Sequence, residues 1–225
     1  GLDRDSRQTM SEIIADAVDA RGVFTLSGPS HAEEVGRDMP TAVVLAGRDQ
    51  TLGRTLQRLF STPRFRIYYV EDIRGVELCG TVKNIMAIAT GISGGLGFGD
   101  NTRGALITRG LAEIVRFGRA FAVSEKTFFG LSGLGDLVAT CTSEHSRNRF
   151  VGSRIGRGEP ISQIIGNMKM VAEGVYATEI VHMLASEKKV EMPITEAVYR
   201  ILYEEASPAE MVDEMMARPP KREEE

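Results

Sequence analysis

Lys83 is the residue whose type and position most plainly suggest chemistry. It is followed by Asn84 and lies in residues 75–110, a stretch that is apolar almost throughout. Residues 76–89 contain no proline and repeat apolar residues at helical spacing, which predicts a helix buried on nearly all sides. Because a buried ammonium group is costly unless it is paired or near water, Lys83 either extends to the surface or works in a polar pocket. The sequence leaves both readings open, and the second would suit general acid–base catalysis.

A second group of polar residues follows a glycine-rich turn in residues 131–152 (LSGLGDLVATCTSEHSRNRFVG). Asp136 either faces a polar pocket or caps a helix. Ser146, Arg147 and Asn148 come where the next helix is predicted to start, and donors at a helix N-terminus suit a phosphate group. A solvated loop before a capped helix explains the same residues equally well.

Two weaker signals lie outside these segments. Residues 27–34 (SGPSHAEE) place a strand end, a Gly-Pro turn and a helix start in succession, an arrangement that can bind anions, although an ordinary β-to-α turn is the simpler reading. Glu173, before Gly174, is either a contact for ligand hydroxyl groups or a loop carboxylate. The three histidines are far apart in sequence without metal-ligand spacing, so no metal site is predicted.

Taken together, these residue types suggest proton transfer beside a bound phosphate. Lys83 would exchange a proton with a carbonyl or hydroxyl group, and Asp136 would hold either the ammonium or the substrate hydroxyls. Arg147 and Asn148 would hold a phosphate of the substrate or of a cofactor.

The elements that must position these residues fall into two parts. Residues 1–71 alternate helices and strands, with strands predicted at 22–27, 41–46 and 65–70. Helices are predicted at 5–20 and 31–36, and a third helix, capped by Asp49, is predicted to run to about Phe60. Ser30 and Glu33 match a capping box for the short helix. This alternation predicts an α/β layer, the closing portion of a parallel, Rossmann-type sheet.

Residues 72–225 contain no further strand signal and predict an all-helical domain, which would hold the substrate. The glycine-dense residues 93–100 are predicted to form a loop, and proline or glycine marks most later breaks. The helices predicted in this part span residues 71–92, 102–120, 124–129, 133–140, 146–157, 160–166, 175–188, 194–203 and 207–215.

Composition excludes several classes of protein. The 225 residues are 42% hydrophobic and 26% charged, typical of a globular protein, and the net charge of −4 argues against nucleic-acid binding. Cys79 and Cys141 have no CxxC spacing and are predicted to be free thiols in a reducing cytoplasm. No apolar run is long enough for a membrane span. The chain begins without methionine and directly enters a predicted helix, so we expect it to come from a longer protein.

Three long motifs resemble the bacterial NAD(P)-dependent glycerol-3-phosphate dehydrogenases: TVKNIMAIATGISGGLGFGDNTRGALITRGLAE, GLSGLGDLVATCTSEHSRNR and KMVAEGVYAT, followed by VEMPITEAVYRILYE. The resemblance extends from Gly1 to about Tyr203. It implies reduction of dihydroxyacetone phosphate to sn-glycerol 3-phosphate for phospholipid synthesis, with NAD or NADP as cofactor. It also implies a Rossmann domain followed by a helical substrate domain, in a cytoplasmic homodimer.

The resemblance also implies a role for individual residues. Lys83 matches the catalytic proton donor and acceptor, and Asp136 matches a substrate-site aspartate. Substrate binding is further implied for Gly28, Ser30, Ser146, Arg147 and Asn148. Contacts with the dinucleotide are implied for Ala32, Arg147, Val171 and Glu173.

The chain departs from the family pattern at its start. The family opens with a GxGxxG turn, which these residues lack, since the glycines of residues 95–99 lie between helices rather than after a strand. A second active-site lysine of the family, which precedes the glycine matching Gly1, is also missing. We therefore expect the C-terminal two thirds of the enzyme, with weak dinucleotide binding and an undetermined preference between NAD and NADP. The alternatives are a non-catalytic helical module that binds a phosphometabolite or mediates dimerisation, and a related reductase of unphosphorylated substrates.

Overall fold

The computed structural model describes residues 1–168, 172–220 and 222–223. Its first part contains three short strands and three helices, and the described residues of its second part contain helices and loops but no strand. The elements of the first part are α1 (Met10–Ala17), β1 (Thr25–Ser27), α2 (Ala32–Val35), β2 (Thr41–Ala46), α3 (Gln50–Phe60) and β3 (Phe65–Val70). The elements of the second part are α4 (Ile73–Gly95), α5 (Asp100–Arg119), α6 (Glu125–Phe128), a π-helical turn (Leu131–Gly135), α7 (Asp136–Thr142), α8 (Arg147–Gly156), α9 (Ile161–Gly166), α10 (Glu173–Lys188), α11 (Pro193–Tyr203) and α12 (Pro208–Met216).

The sheet is mixed rather than wholly parallel. Strands β2 and β3 pair in parallel, with Thr41 opposite Phe65, as the sequence predicts. Strand β1 is antiparallel to β2, with Ser27 opposite Val44, so a parallel arrangement was the wrong prediction for this strand. The chain turns at Gly28, whose φ of 140° is a backbone angle that glycine adopts readily and other residues rarely do. Between this turn and β2 the chain forms only the single helical turn of α2. A parallel pair usually needs a full helix in the crossover connection, which this single turn does not provide.

The sequence predicted the bounds of an element correctly where the element is a strong apolar run or begins with a capping residue. Strands β2 and β3 have the predicted bounds, and Asp49 caps α3 by accepting a hydrogen bond from Leu52 N–H at 2.9 Å. The predicted capping box at Ser30 is wrong, because the Ser30 hydroxyl donates to the Gly28 carbonyl and His31 takes the N-cap position. The first helix is shorter than predicted and begins after Thr9, which forms the capping box that Ser30 does not.

Helix α4 forms the centre of the larger hydrophobic core. It continues through Gly95, further than predicted, because the glycine-dense segment remains helical until that residue. Val82, Ile85 and Ile88 are fully buried, each stabilising the fold by about 1.5–3 kcal/mol. Helices α5, α7, α8 and α10 all contact α4, so the predicted burial of α4 on nearly all sides is confirmed.

Helices α4 and α8 meet along a seam of glycines. A Cβ atom at Gly91 would collide with the Arg149 carbonyl, and one at Gly152 would collide with the Ile88 carbonyl. Gly95 and Gly156 form a similar contact one turn further along. The two backbones therefore touch directly, which holds the N-terminus of α8 against the middle of α4.

Candidate active site

Lys83 is paired in a partly enclosed pocket. Its side chain is 18% exposed, and its ammonium group donates a hydrogen bond to Asp136 Oδ2, a carboxylate that is only 6% exposed. Of the two readings that the sequence left open, the structure supports the polar pocket. With little water around the pair, the attraction between the two charges is stronger than it would be at the surface.

Thr140 completes the surroundings of the Asp136 carboxylate. Its hydroxyl donates to Asp136 Oδ1 at 3.1 Å, so both carboxylate oxygens have a partner. Thr140 was not predicted as a site residue. Its position four residues after Asp136 on a predicted helix does place the two side chains on the same face. The carboxylate is thereby held in one orientation toward Lys83.

Asn148 joins three helices next to this pair. It donates from Nδ2 to Asn84 Oδ1 at 2.9 Å, and its Oδ1 accepts a hydrogen bond from Gly174 N–H at 2.9 Å. Asn84 in turn donates to the Gly80 carbonyl. Both asparagines are buried, so the predicted phosphate-binding residue also braces the site, with one Nδ2 hydrogen left for a ligand.

Ser146 and Arg147 begin helix α8. The Ser146 hydroxyl accepts a hydrogen bond from Arg149 N–H at 3.2 Å, which makes Ser146 the N-cap. Arg147 is exposed, and within the described part of the chain its guanidinium makes no ion pair. A free guanidinium at a helix N-terminus is well suited to bind a phosphate.

One cleft of about 750 Å³ brings these residues together with the turn after β1. The α/β part of the chain contributes one side of the cleft, including Gly28, Ser30 and Ala32, and the helical part contributes the other. Every site residue predicted above lines this cleft except Val171, which lies outside the described residues. The polar residues described above that line it from the helical part are Lys83, Asn84, Asp136, Thr140, Ser146, Arg147, Asn148 and Glu173.

Glu77 also lines the cleft, and sequence reasoning did not single it out. It lies on α4 before Lys83, and its carboxylate accepts hydrogen bonds from the backbone and hydroxyl of Ser11 on α1. Both residues are buried. Their contact is invisible in local sequence patterns because it joins residues far apart in the chain.

Two of the three histidines approach each other, although they are distant in sequence. The rings of His31 and His145 lie 6.1 Å apart, and both residues line the cleft. His182 stacks on Tyr199 and contacts Glu196 elsewhere. Within the described residues there is no group of three or more His, Cys, Asp or Glu side chains placed to hold a metal ion.

The two cysteines are buried free thiols, as predicted. Burial raises the pKa of Cys79 to about 12 and that of Cys141 to about 12. Neither thiol therefore supplies a thiolate nucleophile near neutral pH. None of the described helices has the length and hydropathy required to cross a membrane.

The fold and cleft define a class of protein: a small α/β layer joined to a helical layer, with a Lys–Asp pair and an exposed arginine lining one cleft between them. Comparison with known families gives the particular family. Residues 72–213 match the model described as NAD-dependent glycerol-3-phosphate dehydrogenase C-terminus, and residues 1–53 match its N-terminal counterpart. The chain belongs to the NAD-dependent glycerol-3-phosphate dehydrogenase family.

Individual relatives support this assignment. A protein named glycerol-3-phosphate dehydrogenase [NAD(P)+] from Solidesulfovibrio magneticus is 52% identical over 220 residues, which cover 97% of this chain and 67% of the relative. A second protein, named glycerol-3-phosphate dehydrogenase [NAD(P)+] 2, from Salinibacter ruber is 48% identical over 226 residues, which cover 99% of this chain and 66% of the relative. The crystal structure of glycerol-3-phosphate dehydrogenase from Coxiella burnetii superposes with a TM-score of 0.92 at 44% identity, covering 97% of this chain and 67% of that one. The chain thus spans about two thirds of the length of these relatives.

Proposed function

We propose that this chain carries the substrate site and the proton-transferring lysine of an NAD(P)-dependent glycerol-3-phosphate dehydrogenase. The reaction interconverts dihydroxyacetone phosphate and sn-glycerol 3-phosphate, for glycerophospholipid biosynthesis. The observation that carries the proposal is the enclosed Lys83–Asp136 pair in the same cleft as the exposed guanidinium of Arg147.

Lys83 protonates the substrate oxygen as the ketone becomes an alcohol, and it accepts that proton in the reverse direction. Asp136 holds the ammonium in place, and Thr140 fixes the carboxylate that does so. Arg147 and the first turn of α8 bind the substrate phosphate, with a contribution from the remaining Nδ2 hydrogen of Asn148.

The cleft residues fit a dinucleotide at the positions that the structure describes. The exposed guanidinium of Arg147 suits a phosphate, and the Glu173 carboxylate at the start of α10 suits ribose hydroxyls. Ala32 adds a small side chain that leaves room for a ligand. When bound, the dinucleotide supplies or accepts the hydride.

The proposed domain boundary coincides with the change from mixed α/β to helical structure. Residues 1–71 would belong to the dinucleotide-binding domain and residues 72–225 would form the substrate-binding and catalytic domain. This is supported by the confinement of the described strands to the first part and by the start of the long helix α4 at Ile73. We extend the proposal to a cytoplasmic homodimer, as the resemblance implies, and sedimentation of the purified protein would test the dimer.

The test is NADH oxidation by the full-length enzyme in the presence of dihydroxyacetone phosphate. Lys83→Ala should lower kcat by about 10² or more, since it removes the proton donor. Lys126→Ala is the matched control, because Lys126 is an exposed lysine outside the cleft. Near-normal turnover by Lys83→Ala would show that this role is wrong.

Calorimetric titration of the 225-residue chain tests the expectation of weak dinucleotide binding. Binding of dihydroxyacetone phosphate together with weak or undetectable binding of NADH is the expected result. Tight NADH binding by these residues alone would contradict it.

A further inference from the structure

A second concave surface lies between α4, α5, α11 and α12 and shares no lining residue with the catalytic cleft. This surface, here called the apolar groove, encloses about 240 Å³. Its walls include Ile92, Leu106, Val198, Met211 and Met215. Methionine side chains adapt readily to irregular apolar ligands.

The apolar groove continues into a pocket that is rich in arginine. This arginine pocket encloses about 340 Å³ and shares Arg109, Ile194, Met215 and Met216 with the groove. Arg116 and Arg218 also line it. The apolar groove therefore adjoins a pocket lined by three arginine side chains.

The acidic side chains that line the arginine pocket already have partners. Glu113 is buried and accepts hydrogen bonds from Ile194 N–H and from the backbone and hydroxyl of Thr195. Glu191 pairs with Arg218. Of the three arginines that line the pocket, Arg218 is therefore engaged by a carboxylate.

Among the described residues, Arg109 and Arg116 donate hydrogen bonds only to backbone carbonyls, and Arg116 also interacts electrostatically with Glu113. Arg109 donates to the Glu223 carbonyl at 3.1 Å, and Arg116 donates to the Glu191 carbonyl at 3.0 Å. Each guanidinium has five N–H donors, so most of them remain available. The pocket consequently offers more donors than its own carboxylates use.

We propose that the apolar groove and the arginine pocket together bind a fatty-acid carboxylate of medium chain length. The hydrocarbon chain lies in the methionine-lined groove, and the carboxylate binds Arg109 and Arg116. Guanidinium groups match the planar geometry of a carboxylate, and the adjoining apolar walls match its chain. A fatty acid is favoured over a second copy of the protein because one small molecule satisfies both the charge and the apolar surface. This binding site is separate from the proposed catalytic function and does not depend on it.

The experiment is a calorimetric titration of the purified protein with decanoate, kept below the concentration at which micelles form. Saturable binding at one site is expected, with no comparable binding of butyrate, which lacks the chain, or of decanol, which lacks the charge. The double variant Arg109→Gln, Arg116→Gln should weaken binding about tenfold or more. Arg119→Gln is the matched control, because Arg119 lies on the same helix and pairs with Glu125 outside the pocket.

A variant of the apolar groove tests whether the hydrocarbon chain of decanoate lies there. Ala105 is exposed on the groove wall, so Ala105→Trp should fill the groove and reduce decanoate affinity without disturbing the core. Lys83→Ala should bind decanoate as the parent protein does. If the double arginine variant does not fold, Arg109→Gln alone and Ala105→Trp still decide the question.

Several results would overturn the proposal. These are the absence of saturable binding, equal binding by the arginine and tryptophan variants, and displacement of decanoate by dihydroxyacetone phosphate, which would place it in the catalytic cleft. A dimer that forms in sedimentation experiments and excludes decanoate would show instead that a second copy covers the groove.

Discussion

The carboxylate of Glu77 accepts two hydrogen bonds from Ser11, one from the backbone N–H at 3.0 Å and one from the hydroxyl at 2.5 Å. Glu77 lies on the same helix as Lys83, and Ser11 lies in α1, so this buried contact ties the beginning of the chain to the helix that carries the lysine. Surface ion pairs from Arg4 and Arg7 to α10 hold the same segment.

Glu77→Ala should release residues 1–17 from the helical part. The variant loses a buried, charge-assisted contact that contributes about 1.5–3 kcal/mol, whereas the exposed ion pairs contribute less than about 1 kcal/mol. Faster hydrogen exchange in α1 and faster trypsin cleavage at Arg4 and Arg7 are expected. Glu187→Ala, which breaks only the surface pair with Arg7, is the control. Unchanged protection in Glu77→Ala would mean that Ser11 is held by other contacts.

Asp136→Asn should preserve the shape of the site while removing the charge that holds Lys83. The amide can also turn its NH₂ group toward the ammonium, which disfavours the observed geometry. We expect kcat for dihydroxyacetone phosphate reduction to fall about tenfold or more, because the proton donor is no longer held in one position. Asp100→Asn is a matched control, since Asp100 is an exposed residue at the start of α5. A kcat equal to that of the parent enzyme would contradict the proposed role of Asp136.

Arg147→Gln should weaken recognition of the phosphate. Loss of a charge-assisted hydrogen bond, about 1.5–3 kcal/mol, predicts a rise of roughly 10- to 100-fold in KM for dihydroxyacetone phosphate. KM for unphosphorylated dihydroxyacetone should change little. Arg103→Gln, which disrupts only a surface pair with Asp100, is the control. Equal rises for both substrates would rule out specific phosphate binding by Arg147.

Gly152→Ala should destabilise the protein, because the new methyl group would collide with the Ile88 carbonyl on α4. Overpacking of this kind costs about 1–3 kcal/mol. Gly104 lies inside α5 with open space around it, so Gly104→Ala should instead stabilise the protein by about 0.5–1 kcal/mol. Urea denaturation of both variants measures the contrast. Equal stability of Gly152→Ala and the parent would show that the two helices can separate without cost.

Glu113 should make the stability of the fold depend on pH. Burial raises its pKa to about 7, although hydrogen bonds from Ile194 and Thr195 act in the opposite direction. Between the pKa of an unfolded glutamate, about 4.3, and pH 7, the folded chain holds a proton that the unfolded chain has lost. The stability contributed by the raised pKa is therefore fully present below about pH 4.3 and is lost as the pH rises through 7.

Glu113→Gln removes this titration, and all other groups cancel in the comparison. The free energy of unfolding of the parent minus that of the variant should decrease from pH 4.5 to 7 and then level off. Chemical denaturation at each pH gives the two values. A difference that increases over this range would mean that Glu113 is ionised in the folded protein throughout.

Much of the fold could be predicted because its strongest signals are local. The uninterrupted apolar run of α4, the apolar strands β2 and β3 and the cap at Asp49 are each contained in a short stretch of sequence. The antiparallel direction of β1 was not predictable in this way, since it depends on how the chain turns at Gly28 and then pairs with Val44.

The candidate site likewise contains residues that a local sequence pattern indicates and contacts that no local pattern indicates. The isolated charge of Lys83 and the donors at Ser146 and Arg147 are visible in the sequence, and the family resemblance supplied their proposed roles, which stay predictions. The contacts of Glu77 with Ser11 and of Asn148 with Asn84 join distant segments and follow no periodic pattern. The approach of His31 to His145 was missed for the same reason.

The glycine seam between α4 and α8 has a consequence for substrate size. Arg147 begins α8 and Lys83 lies on α4, so direct backbone contact fixes the distance between the main-chain positions that carry these two side chains. Only the two side chains, and not the helices that carry them, can then adapt to a ligand of different length. A ketone phosphate with one additional carbon between these groups should therefore lose turnover even when it still binds, and measuring kcat and KM for a homologous series would reveal that rigidity.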